Sequence, residues 1–247
     1  MAVFVEHLLP DDVGDTIFDK LMEECKWYDL VHRGITSSRY VSLQGNVTDN
    51  MYPLYRYPSD TEHPVNDWTP TVKLIRDYLQ IRFGYNCNHV KIQLYPNGES
   101  AIGYHSDKTL DIKRGSTIVN CSFSKKNVSR TFVIKNKITG ELTTFTMNNN
   151  SMVTFDTNTN MKFLHKIKKE DDSVGPRISL VFRTIDTFVT IDDKGNKNIS
   201  GQGSVSADKS ISKEDQRILL YRAFREENDS SEFDWDKWYG TGFDILY

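Results

Sequence analysis

Between residues 88 and 190 the chain breaks into eight β-branched or aromatic runs: HVKIQLYP, AIGYH, STIVNCSFS, RTFVIKN, ELTTFTM, SMVTFD, FLHKIK and RISLVFRTI. Asn, Gly, Lys and Asp turns separate them. Runs this short suit strands better than helices, and successive side chains of a strand point to opposite faces. Many short strands at such spacing predict a sandwich or barrel of the jelly-roll type.

Helical patterns flank this region. Residues 11–30 place Val13, Ile17 and Leu21, with Met22 and Cys25, on one side of a helix that Asp11 or Asp12 would cap. Thr69-Pro70 opens a second helix over 70–83, with Val72, Ile75 and Leu79 on its stripe and Gly84 just past its end. The polar, aromatic stretch 31–66 between them reads as short strands and turns around RYVSLQG and YPLYRYP. Residues 191–210, rich in Gly, Ser, Asn and Asp, read as a flexible loop or linker. Beyond them Ser212 would cap a helix running to about Asn228, with Ile218, Leu219 and Ala223 inward. The aromatic ending, with Phe233, Trp235, Trp238 and Phe243, is expected to dock on the body. The expected class is α+β: a double-stranded β-helix (jelly-roll) core over 88–190, flanking N-terminal helices within 1–87, a loop over 191–211 and an acidic, aromatic helical extension over 212–247.

Charge narrows the partners. The net charge is −3, and residues 212–247 hold five Lys/Arg against nine Asp/Glu, leaving 26 against 25 before them. A dedicated non-specific nucleic-acid binder is usually far more basic. Any polyanion site would be a local patch, for which Lys125, Lys126, Arg130, Lys135 and Lys137 are the candidates beside the plain reading of a solvated hairpin face. No apolar run approaches the roughly 20 residues that a bilayer crossing needs. The first residues, MAVFVEHLLPDD, lack the basic start and long apolar centre of a signal peptide. Three widely spaced cysteines, Cys25, Cys87 and Cys121, suggest neither a disulfide framework nor a zinc knuckle. An intracellular location, cytoplasm or nucleus, is expected, with the Asn46-Val47-Thr48 sequon a chance match. Oligomeric state is not legible.

Two motifs carry chemistry. His105-Ser106-Asp107 ends one of the apolar runs, and His165 lies inside another. Residues i and i+2 at the frayed end of a strand project the same way, so His105 and Asp107 can chelate one ion. Two histidines and one carboxylate are the makings of a facial triad that holds Fe(II) with open positions. H-x-D also arises by accident, and surface or core polar residues remain the alternative on spacing alone. Arg177 and Arg183 sit six apart on one run, an even separation that aims both at one face. Guanidiniums on a buried face are costly unless they meet anions, and a dicarboxylate such as 2-oxoglutarate would supply two. Pairing with protein carboxylates is the other explanation.

Taken in order, H-x-D, a distant His and R-x5-R resemble the AlkB-like branch of the Fe(II)/2-oxoglutarate dioxygenases. The resemblance spans roughly residues 35–187 and includes DWTPTVKLIRDYLQIRFGYNCNHVKIQLYPNGESAIGYHSD. It implies that His105, Asp107 and His165 bind iron. It implies further that Arg177 holds the distal carboxylate of 2-oxoglutarate with the Tyr95 hydroxyl, that Arg183 lies near its iron-bound end, and that O2 is the oxidant. Gln93 stands where the family usually has Asn, and the stretch from Ser122 to Arg130 is longer than the family's Ser-x-Gly turn and lacks its glycine. The extension after about 190 matches no part of the pattern. The segment before the barrel corresponds to the family's substrate lid, so Arg39, Tyr55 and Tyr57, with Lys91 and Arg130, are the expected substrate contacts; Arg56 lies among them. The implied activity is oxidative demethylation of an N-alkylated base in DNA or RNA, releasing formaldehyde, succinate and CO2. Hydroxylation of a protein side chain or small molecule by the same chemistry is the alternative.

Overall fold

The computed structural model describes residues 2–204 and 210–246. In chain order the elements are β1 (Val3–Val5), α1 (Asp11–Glu24), β2 (Tyr28–His32), β3 (Ile35–Gly45), β4 (Met51–Pro53), β5 (Val65–Asn66), α2 (Pro70–Phe83), β6 (His89–Tyr95), β7 (Ile102–His105) and β8 (Thr117–Ser124). There follow β9 (Arg130–Asn136), β10 (Leu142–Met147), β11 (Ser151–Asp156), α3 (Thr157–Lys162), β12 (Phe163–Ile167), β13 (Arg177–Arg183), β14 (Thr187–Ile191), β15 (Lys197–Gly201), α4 (Lys213–Asp229) and α5 (Trp235–Tyr239). The eight runs of the sequence are strands β6 to β13.

These strands form two facing sheets of a jelly roll. The larger runs β1-β11-β8-β13-β6-β3-β2, with β5 beside β3, and the smaller runs β10-β9-β12-β7. Alternation assigns each face. On β6, β8 and β13 one set of side chains (Val90, Ile92, Val119, Cys121, Leu180, Phe182 among them) packs against Ile17 and Leu21 of α1 and Val72, Ile75 and Leu79 of α2. The opposite set joins the β9, β11 and β12 side chains Phe132, Phe155 and Ile167 inside the barrel. Helix α2 has its predicted bounds, and Gly84 closes it at φ 74°, a left-handed conformation that glycine adopts without steric cost. All three cysteines are free and buried.

Three expectations are corrected. Helix α1 stops at Glu24 because residues 28–32 pair with β3, and Pro10 occupies its N-cap while Asp11 and Asp12 lie in the first turn. Part of the proposed linker is a strand: β15 pairs with β14, which pairs with β4, and Asp192 accepts from the amides of Lys194 and Asn196 in the turn. Residues 205–209 of that linker lie outside the described residues. Ser212 does cap α4, accepting from the Asp215 amide, but the phase of the helix differs. Leu220, Ala223 and Phe224 face inward, whereas Ile218 and Leu219 are 45% and 40% exposed.

The aromatic ending docks as expected. Phe233, Tyr239, Phe243 and Ile245 pack with Leu220, Phe224 and Leu110, the last lying just beyond the H-x-D motif. Arg56, expected near substrate, is instead wholly buried: it pairs with Asp111 at 2.6 Å and donates to the carbonyls of Phe243, Ile245 and Gly203. It ties the segment between β4 and β5 to the C-terminal extension. Among the described residues no helix is long and apolar enough to cross a membrane.

Candidate active site

The barrel interior is apolar on one side and polar on the other. Register aligns Arg177 with Tyr95 and Ser124, Ser179 with Gln93 and Ser122, and Val181 with Lys91 and Asn120. Each of these side chains is buried. Three central strands thus present a polar inner face, which apolar packing cannot explain and which suits a polar ligand.

Arg177 narrows the chemistry of that ligand. Its Nε donates to the Ser122 hydroxyl at 2.7 Å and its guanidinium lies 5.3 Å from the Tyr95 ring centre. Both terminal nitrogens are buried without a hydrogen-bond partner, and burial pushes the group down to about 10. A buried guanidinium without a protein anion is expensive. Two parallel N–H groups are what a carboxylate of 2-oxoglutarate would accept, so the residues fit the cosubstrate.

The candidate metal-ligating set is assembled from β7, the loop behind it and β12. His105 and His165 are paired across the sheet, and their ring centres are 4.3 Å apart. The ligand atoms of His105, Asp107 and His165 all lie within 4.8 Å of one another. His105 Nδ1 is 2.9 Å from the Gly103 carbonyl, which fixes that nitrogen as the donor and leaves Nε2 for a metal. His165 Nε2 is 3.9 Å from Asp107 Oδ1. Burial pushes His165 down to about 4 and holds His105 well below the usual histidine range, so both rings are neutral, the form that binds metal. Burial works to raise the Asp107 carboxyl, but the Arg183 guanidinium outweighs it and holds the group below the usual carboxylate range. Arg183 donates to Oδ2 through Nε at 3.2 Å and Nη2 at 2.7 Å. A donor set of two neutral imidazoles and one carboxylate fits Fe(II).

The triad opens onto a cavity of about 360 Å³, within the usual range for a small-molecule site. Arg39, Tyr55, Tyr57, Lys91, Gln93 and Tyr95 line it; Arg177 is fully buried. The Lys91 ammonium stands 3.2 Å above the Tyr57 ring centre, and burial, then Arg39 and Arg183, hold it well below the usual lysine range. Arg39 donates to Gln93, and Tyr55 stacks on Arg183 at 4.1 Å. Arg130 does not reach the substrate side. It is 1% exposed and donates to the carbonyls of Asn97, Gly98, Ser100 and Lys168, holding the turns between strands.

The basic cluster of the sequence is likewise dispersed: Lys125 pairs with Asp19, and Lys137 donates to the Glu227 and Ser230 carbonyls. Lys135 and a lysine outside that cluster, Lys166, instead flank Tyr104, 5.6 and 4.4 Å from its ring centre, on the face of the smaller sheet opposite His165. Sequence reasoning also missed Asn120 and Asn228, both lining the cavity. An Asn inside the apolar run STIVNCSFS was the available signal for the first.

Comparison with known proteins agrees with this geometry. The family model of the 2OG-Fe(II) oxygenase superfamily matches residues 1–183. The Alpha-ketoglutarate-dependent dioxygenase alkB homolog 3 of Homo sapiens is 25% identical over 185 residues, covering 70% of this chain and 62% of that protein. The DNA oxidative demethylase ALKBH2 of Bos taurus is 27% identical over 126 residues, 48% of this chain and 44% of that protein. The chain thus spans less than two thirds of the length of either relative. The structure of OsALKBH1 superposes with a TM-score of 0.52 at 13% identity, covering 74% of this chain and 97% of that one, a likeness of fold. With the match extending over most of its length and the triad in place, the chain belongs to the 2OG-Fe(II) oxygenase superfamily.

Proposed function

We propose that the protein is an AlkB-like Fe(II)/2-oxoglutarate dioxygenase that oxidises an N-alkyl group on a nucleic-acid base. The observation that carries this reading is the His105–Asp107–His165 set at the base of a cavity lined by Tyr55, Tyr57 and Tyr95 beside Arg39 and Lys91. Aromatic faces and cationic groups side by side suit a base taken out of its stack and the phosphates next to it. The name of the bovine relative, a DNA oxidative demethylase, points the same way.

Bound Fe(II), with 2-oxoglutarate and O2, would supply the oxidation of a substrate C–H bond, the cosubstrate leaving as succinate and CO2. The chain's own residues set the geometry. Arg177 and Tyr95 would anchor the distal carboxylate, Gln93 would contact the cosubstrate, and Arg183 keeps one oxygen of Asp107 occupied so that the other faces the histidines. Tyr57 and Lys91 would bound the space above the metal. A hydroxylated N-methyl group then collapses to formaldehyde and the amine.

The dispersed basic cluster favours a second reading, hydroxylation of a protein side chain or small molecule, because a long basic track is missing among the described residues. Succinate formation should be measured with an N-methylated oligonucleotide panel and with peptide and metabolite fractions. Formaldehyde release stimulated by methylated nucleic acid supports the first reading, and its absence with turnover in another fraction overturns it.

A further inference from the structure

The loop that carries Asp107 has almost no backbone pairing of its own. Beyond His105 strand β7 ends, and the amides that follow are satisfied by side chains. Asp107 N donates to Asn160 Oδ1 at 2.9 Å, and Asn160 Nδ2 returns a bond to the Asp107 carbonyl at 2.8 Å. On either side the partners come from α4. Ser106 N donates to Asn228 Oδ1 at 3.0 Å, and Thr109 N donates to Glu227 Oε1 at 2.9 Å, joined there by the Thr109 hydroxyl. Lys108 reaches the same helix, donating to Asn228 Oδ1 at 2.5 Å and to the Phe224 carbonyl at 2.8 Å.

The clamp is itself held. Glu227 is 1% exposed, although it carries a carboxylate, and its second oxygen accepts from the Tyr239 hydroxyl of α5 at 2.8 Å. Lys137 of the loop after β9 fixes the end of α4 through the Glu227 and Ser230 carbonyls. A buried carboxylate that receives a backbone amide and two hydroxyls is a strong, directional holder. All of α4 and α5 lies beyond residue 183, where the family match ends.

We propose that the C-terminal extension is part of the metal centre: Glu227 and Asn228 are positioning residues that set the metal ligand Asp107 by gripping the amides before and after it. The inference rests on the metal assignment but not on the substrate. Partners that orient a ligand typically govern metal affinity by 10–100-fold when removed. The 2-oxoglutarate residues sit on β6 and β13 and do not touch α4 through these bonds, so the direct effect should fall on the metal.

The test uses the full chain with Co(II) as a spectroscopic stand-in for Fe(II). Dissociation constants from the visible Co(II) bands would be compared for the unaltered chain, Asn228→Ala, Asn228→Asp, Glu227→Gln and His105→Ala, with melting temperatures and the KM for 2-oxoglutarate. Asn228→Ala should weaken Co(II) roughly 10-fold or more and shift the bands. Asn228→Asp and Glu227→Gln, which keep acceptor oxygens, should recover most of the affinity. A folded Asn228→Ala with unaltered Co(II) affinity and bands overturns the inference alone. An unaltered chain whose bands do not depend on His105 overturns the metal assignment and this inference with it.

Discussion

Arg183 spans the barrel to place two hydrogen bonds on a single oxygen of Asp107, from Nε at 3.2 Å and Nη2 at 2.7 Å, leaving the other oxygen 3.9 Å from His165 Nε2. Both partners are buried, so removing one leaves an uncompensated charge. In the metal-free protein Arg183→Met should cost about 3–5 kcal/mol of stability by denaturant unfolding. Saturating Co(II) supplies the missing positive charge and should restore more stability to the variant than it adds to the unaltered chain. Equal melting of the two proteins with and without metal would show that Asp107 does not depend on Arg183.

Arg177 predicts the opposite sign. Its terminal nitrogens have no partner, so the guanidinium burdens the ligand-free fold. Arg177→Met should melt at the same temperature or higher, while losing the stabilisation that 2-oxoglutarate gives. For the unaltered chain that stabilisation is about 2.7 kcal/mol at a hundred times Kd. Arg177→Lys should recover only part of it, since an ammonium lacks the planar fork. Undiminished stabilisation of the Met variant by 2-oxoglutarate would remove Arg177 from the site.

The shared face of these two arginines was legible because β-strand alternation is a strict code: an even spacing fixes a shared face whatever surrounds it, whereas His105, Asp107 and His165 stood out only through the ordered pattern of the family they resemble. The corrected parts had no such code. Strand β15 is an edge strand held by backbone bonds, and its mostly exposed Lys, Asn and Ser side chains look like those of a loop. In α4 the chain offers two overlapping apolar stripes, and only tertiary packing selects Leu220, Ala223 and Phe224 over Ile218 and Leu219. The signal for the clamp lay in that choice, since Glu227 continues the i, i+3, i+4, i+7 series of the buried stripe. Arg130 was misread for the converse reason: a cation in a loop-flanked strand looks available, and only the carbonyls around it show that it is committed.

If the strand flanking a bound base runs over the outer face of the smaller sheet beside Tyr104, Lys135 and Lys166 should meet its phosphates. Lys135→Ala and Lys166→Ala should then weaken oligonucleotide binding about equally for all sequences. Each should flatten the slope of log K against log salt by roughly 0.7–0.9. Equal slopes for variants and unaltered chain would take the polyanion away from this face and favour the peptide or small-molecule reading.

Lys137 links pH to the C-terminal clamp. Burial lowers its ammonium from 10.5 to about 8, with Glu227 pulling the other way, Lys108 adding to the fall and Asp229 opposing it. In the unfolded chain the group keeps its proton up to the usual lysine range. Between about pH 8 and 10.5 the unfolded state therefore binds a proton that the folded state has released, and stability contributed by this group rises with pH across that window. Below pH 8 both states are charged, and the folded protein carries the whole cost of a partly buried ammonium. Because the side chain is partly exposed, solvent screening reduces the effect to about 1–2 kcal/mol. Urea unfolding at pH 7.5, 9 and 10.5 should show the unaltered chain gaining on Lys137→Met by that amount. Parallel stability curves for the two proteins would mean that Lys137 titrates alike folded and unfolded, and that burial of its ammonium beside the end of α4 costs the folded state nothing.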